Sequence, residues 1–510
     1  MKIRDMMKRK IHLSRTIFPA DWVGERPYDR TGEADIYYAG VATRVYNILS
    51  RSFVRDEIIH EDRDIRRAAM ALTGLFEDII SGTGMWDLLV RECLRRYGKE
   101  LPFYDMTGYV RGEINLQDVR LLLWDILQSH RQGSMLNPEN PYMEEIAGKI
   151  FRVFDEEYEF AVENEPLRVF LTHPEIAQGY WRVRHRLEWI LQSSFLNHRY
   201  MTELPGELEP VLGNDFSDEI GIDKILYHMQ VDHMFSFRSN LLSMRSCEIL
   251  SGVCGMDSNG KIAGMRMLPM FHYLYCGHDE EMLRVRRLAD DAEFAIAMES
   301  FDKLDTSSLK AGVSIIICNL VKYGGEWYQA GIMSMSPDGG LFSEESRMNE
   351  LQQLNLPFTK EQVKRYKSVM QGKDILFFST YEKLRSFINE AAGQGPDFDS
   401  VKEFPRNTTY MVLLHPSKGL SIVAGLNHCI FIEGNTFYDP ERAAIDSLAF
   451  YVSPDACPYE TACCLQDKGL LPNAAINSLK GTDYGRAFLH DNGRFITDYF
   501  FHRYRGDDCL

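Results

Sequence analysis

A chain of 510 residues with 45% hydrophobic and 26% charged side chains has the composition of a globular protein and the length for about two to four domains, which excludes a fibrous or disordered polymer. Its net charge of -17 repels phosphate backbones and argues against duplex DNA or RNA as the main ligand. No apolar run approaches the ~20 residues of a membrane helix, so no membrane span is expected.

The chain starts basic, with Lys2, Arg4, Lys8, Arg9, Lys10 and Arg15 against the single acid Asp5. That start lacks the apolar segment and cleavage site of a signal peptide, and the ten cysteines are scattered, so reduced thiols in a cytosol are expected. Trp22, Arg26, Tyr28, Asp35 and the pair Tyr37-Tyr38 then gather aromatics and charges ahead of the first helix. Such residues line recognition pockets; the plainer account is an extended arm pinned to a domain surface by its rings.

From Glu33 to about Phe301 the pattern is mostly helical. Ile65, Ala69, Leu72, Phe76 and Ile79 recur at helical spacing, and Val119, Leu122, Leu123 and Ile126 do so after Asn115, an expected cap. Residues 144–163 place Ile146, Ile150, Val153 and Phe154 on one face and a run of acids on the other, a solvated face. Near Leu304 the period changes. Residues 313–321 and 327–334 read as strands joined through Gly324-Gly325, and 374–378 reads as a strand followed by a capping box from Ser379 to Glu382. Residues 410–414 and 420–424 flank a second hairpin; 342–370 is expected to be helical and 394–407 a loop. The polar stretch 302–310 is the expected connection. Asp439-Pro440 starts a helix, Gly469 and Pro472 mark a stop, and the final helix carries Phe488, Phe495, Ile496, Tyr499 and Phe500 on a face expected to dock on the preceding hairpins.

Motifs of named chemistry do not occur: there is no GxxxxGK[ST], no GxGxxG after a strand, no HExxH and no GxSxG. The turn Asp257-Ser258-Asn259-Gly260 has half the pattern of a calcium loop, and a hairpin turn is its plainer reading. The best metal candidates are His228, Asp232 and His233 with His272, Cys276 and His278, soft ligands of the kind zinc or iron accepts. Histidines bonded to carbonyls or carboxylates in a Met- and Phe-rich helix are the expected state, so no metal or other cofactor is favoured. Arg486 and Arg494, eight apart on the final helix, share a face that suits an anion or an acidic partner, with surface salt bridges as the default.

The two ends resemble a known family. The pattern Trp22 to Arg26-Pro27-Tyr28, Asp35, Tyr37-Tyr38 and 45–49 is similar to the opening, and 435–438, 457–460, 471–474 and Gly485-Arg486 to the close, of a domain-of-unknown-function family of gut-dwelling anaerobic bacteria. The resemblance implies a cytoplasmic bacterial origin and no chemistry. The expected fold class is α+β: a mainly helical N-terminal body, a C-terminal mostly antiparallel sheet with helices, and a closing helical module. The expected divisions are a basic start and arm over 1–32, a helical domain over 33–305, an α+β domain with antiparallel hairpins over 306–436 and the closing module over 437–510. With no catalytic constellation in a chain this long, the expected function is that of a non-catalytic protein-binding or adaptor protein whose partner is another protein. A metal-assisted hydrolase built on the His/Asp/Cys group is the alternative, and nucleic-acid association through the basic N-terminus the third reading.

Overall fold

The structure, a computed structural model, describes residues 16–131, 134–173, 175, 179–212, 221–255, 257, 260–301, 304–340, 342–354, 360–392, 405–416 and 418–504. The basic start through Arg15, Ser258 and Asn259 of the expected turn, Asp302 and Lys303 of the expected connection, and most of the loop expected over 394–407 lie outside the described residues. Two compact units divide the chain: unit 1 takes in Met1–Glu92, Met106–His130 and Pro141–Asn355, and unit 2 takes in Cys93–Asp105, Arg131–Asn140 and Leu356–Leu510. The class is α+β, helical toward the N-terminus with sheets toward the C-terminus. Among the described residues no helix is long and apolar enough to cross a membrane.

The helices of the first half are α1 (Pro19–Val23), α2 (Glu33–Leu49), α3 (Asp62–Ser81), α4 (Met85–Tyr97), α5 (Leu116–Ser129), α6 (Pro141–Glu157), α7 (Glu165–Thr172), α8 (Tyr180–Ser193), α9 (Tyr200–Leu212), α10 (Ile222–Ser236) and α11 (Ser246–Cys254). Helical spacing puts Ile65, Ala69, Leu72 and Phe76 on the buried face of α3. That helix opens with Asp62 and Asp64, charges that suit its positive end, and stops at Gly82, whose φ of +62° a side chain would resist. Asn115 precedes α5 as expected, but the bonding is reversed. The Asp118 carboxylate accepts from Asn115 N at 2.8 Å, while Asn115 Oδ1 turns back to accept from Val110 N at 2.9 Å. On α6 the expected apolar face is buried, and Glu156 and Glu157 of the charged face pair with Arg44 of α2.

The change of period comes earlier than Leu304. Three strands, β1 (Phe271–His278), β2 (Met282–Arg287) and β3 (Glu293–Ala297), precede the expected hairpin β4 (Ile315–Tyr323) and β5 (Glu326–Ser336). The five close into a barrel in the order β1-β2-β3-β5-β4. Neighbours are antiparallel except β3 and β5, which run parallel and meet at Ile296 and Trp327. Alternate residues Phe271, Tyr273 and Tyr275 of β1, with Leu283, Val285 and Ile296, fill the interior. Helix α12 (Glu344–Gln353) follows, and its Glu350 accepts from the backbone of His272 at 3.0 Å.

Unit 2 continues with α13 (Lys360–Val369), β6 (Ile375–Phe378), α14 (Tyr381–Ala392), β7 (Tyr410–His415), β8 (Gly419–Ala424), α15 (Pro440–Asp446), α16 (Ala449–Val452), α17 (Tyr459–Asp467) and α18 (Thr482–Phe500). Its three strands form an antiparallel sheet in the order β6-β7-β8. Residues 410–414 are apolar and buried at every position, because this central strand is covered on both faces. The expected cap of α14 moves by one residue, Lys383 N donating to Thr380 Oγ1 at 3.4 Å. Asp439 caps α15 as expected, accepting from Glu441 N at 3.1 Å and Arg442 N at 3.2 Å, with Pro440 at the first helical position.

The apolar face of α18 is buried. Against the expectation that it docks on the preceding hairpins, the rings stacked on it belong to the earliest segment of the unit. Phe103 stacks on Phe488 at 5.5 Å and meets Phe495 edge-on at 5.2 Å, and Tyr97 meets Phe495 edge-on at 5.6 Å. Tyr97 also donates to Asp498 at 2.8 Å. The absence of a side chain at Gly485 is required, since a Cβ there would collide with Ile476 O.

Candidate functional site

The aromatic and charged arm folds into one cluster in unit 1. Trp22, on α1, stacks with Tyr38 of α2 at 5.9 Å, and the Arg26 guanidinium lies 4.0 Å over the Trp22 ring, a cation–π arrangement. From there Arg26 reaches Glu77 of α3, Nη2 to Oε2 at 2.5 Å. Asn164, which caps α7, donates from one side-chain nitrogen to Glu77 Oε1 at 2.8 Å and to the Tyr28 hydroxyl at 2.6 Å. Tyr28 in turn donates to Asp35 Oδ1 at 2.9 Å, and Asp35 Oδ2 accepts from Gly32 N at 2.7 Å where α2 begins. The Tyr38 hydroxyl donates to Val162 O at 2.8 Å. Every acceptor oxygen of Glu77 and Asp35 is therefore occupied, which is how buried carboxylates are tolerated. Burial raises the Glu77 carboxyl above the ordinary range, with Arg26 and Asn164 opposing it, and burial raises the Tyr28 hydroxyl, so Tyr28 stays a donor.

Beside this cluster lies a cavity of about 70 Å³. One wall is α3, through Arg67, Ala71, Gly74 and Glu77; the other is α8 and its end, through Trp189, Ser193 and Phe195. A Cβ at Gly74 would meet Phe195 Cβ at 3.5 Å, an ordinary contact. The arm closes the space: Trp189 Nε1 donates to Glu25 O at 3.0 Å and Ser193 Oγ to Glu25 Oε2 at 3.3 Å. His198, also on the wall, is held by Asp125 at 2.9 Å. Asp78 accepts from Thr83 Oγ1 and from the backbone of Met85 and Trp86, and burial raises its carboxyl. The donors are less complete. Among the described residues, Arg26 Nε is buried with no hydrogen-bond partner, and the ion pair of Arg67 is with Asp64, at 3.8 Å. Burial, with Arg63 nearby, lowers the pKa of Arg67, against the charges of Glu25 and Asp64.

Of the arm residues singled out in the sequence, Trp22, Arg26, Tyr28, Asp35 and Tyr38 thus come together, while the Tyr37 hydroxyl turns to Glu157 Oε2 at 3.1 Å. Sequence reasoning missed Glu77, Asn164, Arg67 and His198. For Glu77 a signal exists: it lies eight residues after Ala69 inside the apolar stripe of α3, where a carboxylate must find a partner.

The six metal candidates disperse into separate pairings. His233 lies 3.4 Å from Glu207, His272 pairs with Glu350 at 2.5 Å, His278 bonds the Tyr275 hydroxyl, and Cys276 is exposed on β1. His228 faces Gly331 of β5, and Asp232 accepts from Ser236 one turn on. Among the described residues no group of three or more His, Cys, Asp or Glu side chains is placed to hold a metal ion. On α18, Arg486 pairs with Asp483 at 2.9 Å, and Arg494 lies 3.6 Å from Asp498 and 3.7 Å from Asp467.

No curated protein and no solved structure matches the chain. A family model does, over residues 16–253 and 333–502, a wider span than the end segments that carried the resemblance. The interval between the two stretches contains β1 to β4. The matching model is that of the protein of unknown function DUF3843, and the chain belongs to this family.

Proposed function

We propose that this protein is a binding protein and that its ligand is a small molecule held in the cavity under the N-terminal arm of unit 1. One observation carries the reading: Arg26, with a side chain only 6% exposed, lines the cavity and keeps a buried Nε that has no hydrogen-bond partner among the described residues. An unmade buried hydrogen bond costs about 1 to 3 kcal/mol, and a ligand that accepts from this nitrogen removes that cost. A concave site with apolar walls and a few convergent polar groups is the usual form of a small-ligand site. A cytoplasmic bacterial setting belongs to the same proposal, supported by the scattered free thiols. The test is a thermal-shift screen of small polar compounds against the parent and against Ala71→Leu, which fills the cavity. Compounds that stabilise the parent and not the filled variant are expected; compounds that stabilise both equally sink the reading.

A second reading, docking of another protein, is favoured by the surface around α15 in unit 2. Phe431 is 58% exposed and Ile445 76%, with Ile432 also exposed and Phe431 packed on Tyr438. Grouped exposed apolar side chains mark interaction surfaces. If a specific partner is bound there, Phe431→Glu with Ile445→Glu releases it; retention by the double variant rules this surface out.

A further inference from the structure

The bonding around the cavity is lopsided, and the imbalance identifies the ligand. Acceptors on the wall are in use: both oxygens of Glu77, both of Asp78, and the Glu25 carboxylate through Ser193. Donors are in surplus, since among the described residues Arg26 Nε has no hydrogen-bond partner and the Arg67 guanidinium makes a loose ion pair with Asp64 at 3.8 Å, with the charge of Glu25 also near it. A ligand that completes this wall brings acceptors, and two guanidinium groups select a planar oxyanion over a neutral carbonyl. Glu25, Glu77 and Asp78, all in the lining, disfavour a second negative charge, which sets a monoanion above phosphate. Apolar Met70, Leu167, Trp189 and Met201 line part of the rest, beside polar Thr83, Gln192 and His198, and the cavity of about 70 Å³ is several times the ~10 to 15 Å³ that one water needs on that measure. That leaves room for a carboxylate with a short hydrocarbon tail.

We propose that the cavity binds a small aliphatic monocarboxylate, its oxygens accepting from Arg26 Nε and Arg67 and its tail lying against Trp189 and Met201; this rests on the reading of the cavity as a ligand site. Titration calorimetry on the full chain with propionate, propionamide and inorganic phosphate tests it. Propionate is expected to bind at least tenfold more tightly than either of the others. Arg67→Gln, which leaves the Arg26–Glu77 pair in place, is expected to weaken propionate at least tenfold, and Ala71→Leu to abolish its binding. Propionamide binding as tightly as propionate, and lost in Ala71→Leu, overturns the carboxylate assignment while the cavity reading stands. Preference for phosphate, or undiminished propionate binding by Arg67→Gln, also overturns it. Binding of none of the three overturns it too, and the wider screen against Ala71→Leu then decides the cavity reading separately.

Discussion

Each unit secures a segment remote in sequence, and the two do so with opposite chemistry. In unit 1 the arm is held by a chain of charged and polar groups, Arg26 to Glu77 to Asn164 to Tyr28 to Asp35. In unit 2 the segment holding Tyr97 and Phe103 is held mainly by rings packed on Phe488 and Phe495. Rings packed edge-on satisfy one another and leave nothing over. A directional network leaves remainders, and in unit 1 the remainder is an unused donor beside a cavity. On the proposal above, the anchor with the less complete bonding is the one that takes a ligand.

The contrast is broken most strongly at its two centres. Arg26→Leu strands Glu77 as a buried unpaired charge and is expected to cost about 3 to 5 kcal/mol, yet adding Glu77→Leu should recover at least half, because an apolar pair of similar volume replaces a buried ion pair with little loss. Phe495→Ala is expected to cost about as much, ~3 to 5 kcal/mol, and adding Phe103→Ala should recover nothing, since the cavity only grows. Hydrogen exchange of amides within each unit, read under a series of denaturant concentrations, separates the two effects. Equal rescue in both pairs would erase the distinction.

A somewhat smaller effect sharpens it through pH. Asp118 in unit 1 is fully buried and accepts from Trp86 Nε1 at 2.7 Å and Tyr109 at 2.9 Å; burial pushes its carboxyl up to about 6, against the hydrogen bonds that favour its charge. Between the ordinary aspartate range and about 6 the folded chain holds this proton more tightly than the unfolded chain. Its contribution therefore stabilises at low pH, is lost as pH rises through that window, and is flat above it, a change of about 3 kcal/mol. Asp118→Asn is expected to remove that slope from urea midpoints taken between pH 4 and 7; an unaltered slope would show that the carboxyl titrates normally. The smallest effect is at the surface of unit 2, where Arg486→Ala breaks only the exposed pair with Asp483 and should change stability by under about 1 kcal/mol in a thermal melt.

Local signals are legible in the sequence, and pairings across distance are not. Gly324 and Gly325, with φ of +61° and +102°, turn the β4–β5 hairpin where two adjacent glycines require it, and Asp439-Pro440 starts a helix for reasons contained within three residues. The strands β1 to β3 alternate as strands should, but each is short, a bulge between Tyr275 and Gly277 shifts the register, and β2 carries Arg284, Arg286 and Arg287 among its apolar residues. At the site the same limit holds. Trp22 through Tyr38 lie within one stretch and were legible as a cluster, whereas Glu77 is 51 residues from Arg26, Asn164 is 136 from Tyr28, and His198 is 73 from Asp125. Nothing in local propensity encodes those partners; packing of α2, α3 and α8 brings them together.

The stacking of Phe103 on α18 also sets a timetable. Phe103 N donates to Asn492, 389 residues later, so the ring leaves the ribosome long before the surface that covers it. At synthesis rates of about 5 to 20 residues per second that interval is on the order of 20 to 80 seconds. Throughout it Tyr97 and Phe103 lack the rings of α18 that bury them, and a nascent chain in that state is a natural client for a chaperone that shields aromatic side chains.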